Sequence, residues 1–90
     1  MKHTIADKEF QIVHAKSRQI IELETKLGHP IAKLESNATY QAICQIYCMA
    51  ILASNNDPDV TEDWILDNME FADMNLHSEV VAHFLAVNKS

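Results

Sequence analysis

Apolar and polar residues alternate weakly near the start of the chain, over residues 3–14. Phe10 and Ile12 alternate with Glu9 and Gln11, which is the two-residue period of a half-buried strand. A polar break precedes them, so the pattern predicts a short β-hairpin. Because the break contains neither Gly nor an Asn-Gly pair, a helix running through this region is the competing interpretation.

The pattern then changes to the period of a short, sharply bounded helix. Ser17 can accept a hydrogen bond from a first-turn N–H, Gly28 can adopt the left-handed conformation that ends a helix, and Pro30 blocks its continuation. The apolar stripe consists of Ile20, Leu23 and Leu27, and the solvent side of Arg18, Glu22 and Lys26.

Glu24 is the residue of this helix that the apolar stripe does not explain. It follows Ile20 by four positions and precedes Leu27 by three, so its carboxylate lies against the stripe. Two interpretations stay open. The carboxylate reaches solvent or a nearby backbone N–H, or it contacts a partner protein.

Residues 38–53 form the most apolar segment of the chain. Ile31 and Leu34 predict a brief helical turn before it, which the polar cluster 35–37 ends. Only three residues of the segment are polar, so the predicted helix must be enclosed by other elements or by partner subunits. With few residues left to cover it, one face should stay open, and an open apolar face marks a protein contact.

Two further helices complete the predicted domain after a loop at residues 54–58. Thr61 is the expected cap of an acidic helix that extends to Met74-Asn75, and an amphipathic helix follows over residues 76–87. The fold class is therefore mainly α (α+β), a single domain over residues 1–90. We expect a short N-terminal β-hairpin followed by a compact bundle of three to four helices.

Charge is distributed unevenly along the chain, whose formal net charge is −6. Residues 1–35 carry six basic and five acidic side chains, whereas residues 36–90 carry one basic and eight acidic side chains. Such a chain is a poor nucleic-acid binder, but its copies could associate front to back. The opening has no apolar signal region and no run is long enough to cross a membrane, so we expect a cytoplasmic protein.

The sequence offers little for catalysis, cofactors or metals. Cys44 and Cys48 with His77 and His83 mimic a zinc pattern, but the pairs are too far apart and the cysteines lie in the most apolar helix. A calcium loop starting at Asp57 fails because its sixth and twelfth positions do not fit. We predict no enzyme activity, no cofactor and no metal. The acidic run 57–73 is interpreted as a solvent-exposed surface or as one side of a charge-complementary protein contact.

The candidate residues for partner binding share an aromatic, flexible apolar or acidic side chain outside the clearest core positions. Core is the simpler interpretation for the aromatic and methionine members, but exposed residues of these types often anchor interfaces. The candidates are Glu24, Tyr40, Tyr47, Asp59, Asp63, Trp64, Asp67, Met69, Phe71 and Met74.

The order of an opening hairpin, a capped helix and the phrases Leu23-Glu24 and Leu27-Gly28 resembles the tail assembly chaperones of long-tailed bacteriophages. The likeness includes Ser17, Arg18 and Ile20-Ile21, and continues through the apolar helix 40–53 and an Asp-Pro loop to the acidic helix from Thr61.

That resemblance implies a phage or prophage protein without enzyme activity, acting in the host cytoplasm. Its copies would self-associate, coat the tape measure protein, and give way as the major tail protein polymerises. This chain would be the short product of a gene that also makes a frameshift-extended form. The alternative is a small acidic inhibitor or regulator that binds one target protein through residues 57–73.

Overall fold

The computed structural model describes residues 1–34 and 39–86. The chain opens with an antiparallel hairpin of β1 (Lys2–Ile5) and β2 (Lys8–Gln11), in which Ile5 pairs with Lys8. Inward and outward side chains alternate along both strands, as the sequence pattern requires. The hairpin prediction is confirmed, and the helical alternative for this region is wrong.

Helix α1 (Ser17–Leu27) includes Ser17 as its first residue, although the sequence predicts that Ser17 is the cap that precedes the helix. Lys16 occupies the cap position in extended conformation, and its backbone N–H donates to Gln19 Oε1 at 2.7 Å. The prediction that Ser17 caps the helix is therefore wrong, because the chain leaves the extended conformation at Lys16 and a side chain of the first turn closes the end. Gly28 ends the helix at a φ of 78°, as predicted.

A short 3-10 turn over Ile31–Lys33 confirms the predicted turn after Pro30, while residues 35–38 lie outside the described part. Helix α2 (Tyr40–Ala53) follows, and Thr39 Oγ1 caps it by accepting from the Ala42 N–H at 3.1 Å. It contacts α1 and both later helices, so it is the central helix of the domain. Its buried residues are Ala42, Ile46, Tyr47, Cys48, Ala50 and Ile51.

Helix α3 (Glu62–Asp67) begins at its predicted cap, where Thr61 Oγ1 accepts from the Trp64 N–H at 3.1 Å. It ends much earlier than expected, so the predicted extension to Met74-Asn75 is wrong. Asn68 explains the stop, because its side-chain amide donates to the Trp64 carbonyl at 2.8 Å and competes with the helical hydrogen bonds. Glu70 is already in extended conformation.

The chain then forms a 3-10 turn at Phe71–Asp73 and continues directly into α4 (Met74–Phe84). This helix starts two residues before the predicted Leu76 and ends at Phe84, so the predicted extension to Val87 is wrong. Leu85 caps the helix and Ala86 takes a positive φ of 55°, which stops the helical path before Val87. Within residues 1–34 and 39–86, no helix combines the length and hydrophobicity needed to cross a membrane.

One hydrophobic core joins the hairpin to the helices. The hairpin and the residue after it contribute Ile5, Phe10 and Ile12, and α1 contributes Leu23. The helical side of the core is built from Ile46, Tyr47, Cys48, Ala50, Ile51, Val60, Ile65, Val80, Val81 and Phe84. Helix α1 consequently lies on α2 with only part of its length in contact, and a groove remains between them.

Candidate functional site: a groove between α1, α2 and α3

The groove encloses about 510 Å³ and is bounded by two rows of side chains on neighbouring helices. The α2 row extends from Gln45 to Ala53, which at 1.5 Å per residue is about 12 Å. The α1 row extends from Gln19 to Lys26, about 10 Å. Glu62, at the start of α3, also lines the groove. The lining thus extends over about two turns of α1 and of α2.

Apolar groups form the α2 side of the groove and polar groups form its rim. Met49, Cys48, Leu52 and Ala53 supply the apolar surface, whereas Glu22 and Lys26 of α1 carry opposite charges along the rim. Leu52 is 39% exposed, which leaves a leucine side chain available for contact. The lining therefore combines apolar side chains of α2 with polar and charged side chains of α1 and α3, a mixture that suits one face of an amphipathic helix.

Two polar groups of α2 have unusual surroundings in the groove. Gln45 Oε1 is buried and accepts no hydrogen bond within the described part of the chain. A buried acceptor without a donor is costly, so this oxygen lowers the stability of the closed structure at this point of α2. Burial raises the pKa of the Cys48 thiol to about 12, with a smaller contribution from the Glu62 carboxylate. Cys48 therefore stays protonated at neutral pH and behaves as an apolar wall residue.

Glu24 makes a local hydrogen bond. Its Oε2 accepts from the Ile31 backbone N–H at 2.9 Å, which ties the end of α1 to the 3-10 turn. The interpretation that its carboxylate reaches a nearby N–H is confirmed. The carboxylate that the apolar stripe left unexplained has a structural role.

Tyr40, which is half-buried, and Phe71 form an aromatic pair outside the groove. Their ring centroids lie 4.9 Å apart in an edge-to-face arrangement, and Phe71 is 66% exposed. Met69 and Met74 near them are half-buried, and Met69 packs against the core. The structure brings these four predicted residues to the region where α2 and α4 begin, but it does not bring them to the groove.

Trp64 is half-buried on α3, with the Lys8 ammonium 6.0 Å from its ring centroid. Lys8 also pairs with Asp57, and this pairing lowers the pKa of the Asp57 carboxyl and raises that of the Lys8 ammonium. The predicted acidic residues Asp59, Asp63 and Asp67 are all exposed. Their carboxylates therefore face solvent along the loop and α3.

Tyr47 is 1% exposed, so its prediction as a partner contact is corrected. Its hydroxyl is hydrogen-bonded to Nε2 of His3, and its ring lies 4.7 Å from that of His77, centroid to centroid. Burial raises its pKa well above the usual range, so the hydroxyl stays protonated. A partner cannot reach this side chain while the hairpin covers it.

No family model, curated protein or solved structure matches this chain.

The described residues also contain no group of three or more His, Cys, Asp or Glu side chains placed to hold a metal ion. Cys44 is half-buried and Cys48 is buried, and both are free thiols.

The groove residues were not among the predicted contacts. The sequence pattern places Glu22 and Lys26 on the solvent side of α1, and it does not distinguish Met49 and Leu52 from the other apolar residues of the central helix. A signal was available, because Gln45, Met49 and Leu52 recur at positions i, i+4 and i+7 and so share one face of α2. The sequence does not say that α1 leaves this face partly uncovered.

Proposed function

We propose that this chain is a non-enzymatic binding protein that receives an apolar helical segment of a partner protein in the groove between α1, α2 and α3. The observation that carries the proposal is the extent of the groove lining, with apolar side chains along two turns of α2 and charged side chains along α1. An amphipathic helix presents anchors at i, i+3, i+4 and i+7, which match that length.

The partner we propose is the tape measure protein of a long-tailed phage or prophage, and the chain would act as a tail assembly chaperone in the host cytoplasm. Tape measure proteins are long and helical, so their apolar faces need cover until the major tail protein encloses them. The resemblance in Leu23-Glu24 and Leu27-Gly28, with a hairpin before this helix, supports the assignment. Self-association of copies along the partner belongs to the same proposal.

Co-expression with the tape measure protein encoded beside this gene tests the proposal. The wild-type chain should keep that protein soluble, whereas Leu52→Glu should lower its soluble fraction about tenfold, because a carboxylate would be buried against an apolar ridge. Ile21→Glu is the matched control, since Ile21 is 64% exposed and lies outside the groove. Equal solubility with both variants would count against the groove, and a genome without such a neighbouring gene would exclude the phage assignment.

An acidic regulator remains the second candidate, because six acidic side chains of residues 59–73 are exposed to solvent. Such a protein would bind a basic surface on one target. Sedimentation of the chain alone separates the two candidates. A chaperone that self-associates front to back forms multimers, which the triple variant Asp59→Lys, Asp63→Lys and Asp67→Lys should disrupt, whereas a regulator of one target should sediment as a monomer or closed dimer with and without the substitutions.

A further inference from the structure

Three buried polar rings connect the hairpin to the helical part of the molecule. His3 comes from β1, Tyr47 from α2 and His77 from α4, and each is at most 5% exposed. Nε2 of His3 is hydrogen-bonded to the Tyr47 hydroxyl, and the two rings meet edge to face with centroids 5.4 Å apart. His77 joins the network through its ring contact with Tyr47, with the two centroids 4.7 Å apart.

The cluster is built for neutral imidazoles. Nδ1 of His77 is buried and has no hydrogen-bond partner among the described residues, so a proton added there would receive no acceptor. The titratable groups facing the cluster are Cys48, next to Tyr47 on α2, and Asp73, on the turn before α4. Cys48 is a protonated thiol, and Asp73 is exposed to solvent, so neither compensates fully for a buried imidazolium.

Acid should release the hairpin before it unfolds the helices, because the hairpin is attached by few groups. Its inward side chains are His3, Ile5 and Phe10, Met1 packs against the same core, and the half-buried Lys8–Asp57 pair adds one further link. The interface of α2 with α4 is the most extensive contact between helices. His77 belongs to this interface, whereas His3 belongs to the hairpin. Opening of the hairpin exposes His3 to solvent and uncovers the Tyr47 hydroxyl. The cost of burying a protonated His3 imidazole is then removed while α2 and α4 stay packed together.

We propose that the His3–Tyr47–His77 cluster is an acid-sensitive latch that holds the N-terminal hairpin on α2 and α4. None of its three residues lines the groove, so the test of the latch does not depend on the proposed function.

The direction of the pH effect follows from burial. Burial lowers the pKa of His3 and of His77 from the ordinary value of 6.5; the charge of His77 lowers that of His3 further, and Asp73 partly offsets the shift of His77. The open form therefore binds more protons than the closed form below pH 6.5. The latch has full strength above that pH and weakens as the pH falls. The Lys8–Asp57 pair persists through this window, because Lys8 lowers the pKa of Asp57 from 3.8.

Amide hydrogen exchange of the full chain at pH 7.5 and pH 5.5, corrected for intrinsic exchange rates, tests the latch. Opening of residues 2–11 should increase by up to about tenfold at the lower pH, since His3 is the imidazole that opening exposes and one buried imidazole contributes at most about tenfold per pH unit below 6.5. Protection of the buried α2 residues should change by less than about twofold. Equal loss of protection in both regions would overturn the latch, because it would mean global unfolding.

Variants and a direct titration complete the test. His3→Gln with His77→Leu should make hairpin exchange independent of pH over this range, whereas the control His29→Gln should leave the pH response intact. The same acid response in the double variant would overturn the proposal. Should the double variant fail to fold, NMR titration of the wild-type imidazoles decides: midpoints of His3 and His77 below 6.5 support the latch, and midpoints at or above 6.5 contradict it.

Discussion

Ala6 occupies a backbone conformation that glycine adopts more easily. It is the first residue of the two-residue turn between β1 and β2, and its φ is 53°. An L side chain at positive φ crowds its own backbone, which costs about 1 kcal/mol or more. The strand pattern outweighs this local penalty, because Ile5 and Phe10 on either side of the turn are both buried.

Ala6→Gly should therefore stabilise the protein, by about 0.5–1 kcal/mol after part of the gain is offset by the greater freedom of glycine in the unfolded chain. Urea denaturation measures the change. Asp7→Gly is the matched control. Asp7 lies in the same turn but has no positive φ, so this substitution should destabilise the protein. If both variants lose stability, the turn strain assigned to Ala6 is contradicted.

At the scale of elements, the Glu24 carboxylate joins two pieces that Gly28 and Pro30 separate. The hydrogen bond from the Ile31 N–H fixes the 3-10 turn against the end of α1. The last turn of α1 and the first turns of α2 also line a second, smaller groove.

Replacing Glu24 separates the hydrogen bond from the packing of the helix. Glu24→Ala leaves the partly buried Ile31 N–H without its acceptor and should cost about 1–2 kcal/mol of unfolding free energy. Glu24→Gln keeps a carbonyl oxygen at the same place and should cost less than about half of that. Thermal or urea unfolding checks both, and equal losses would show that the hydrogen bond is not the cause.

The sequence specifies most element ends that depend on one residue type. Thr61 and Gly28 act at the predicted positions, because a cap or a left-handed turn is a local property. The end of α3 was missed for a different reason. Apolar positions continue past Asp67 at helical spacing, and only the local hydrogen bond of Asn68 shows that the helix stops.

At the scale of the whole molecule, pairings distant in sequence decide what local patterns cannot. His3 and Tyr47 are 44 positions apart, and Lys8 and Asp57 are 49 apart. The second of these pairs joins the mildly basic front of the chain to its acidic back inside one molecule. The sequence showed the uneven charge and the apolar central helix, but it did not show that this pair forms or that the open face of α2 lies beside α1.

The central claim is that the groove binds a helical segment of the partner. Fluorescence anisotropy with labelled 20-residue segments spanning the tape measure protein measures it directly. At least one amphipathic segment should bind the wild-type chain, with affinity about tenfold weaker for Leu52→Glu and within about twofold for Ile21→Glu. Binding that Leu52→Glu leaves unchanged, or no binding by any segment, would contradict the account.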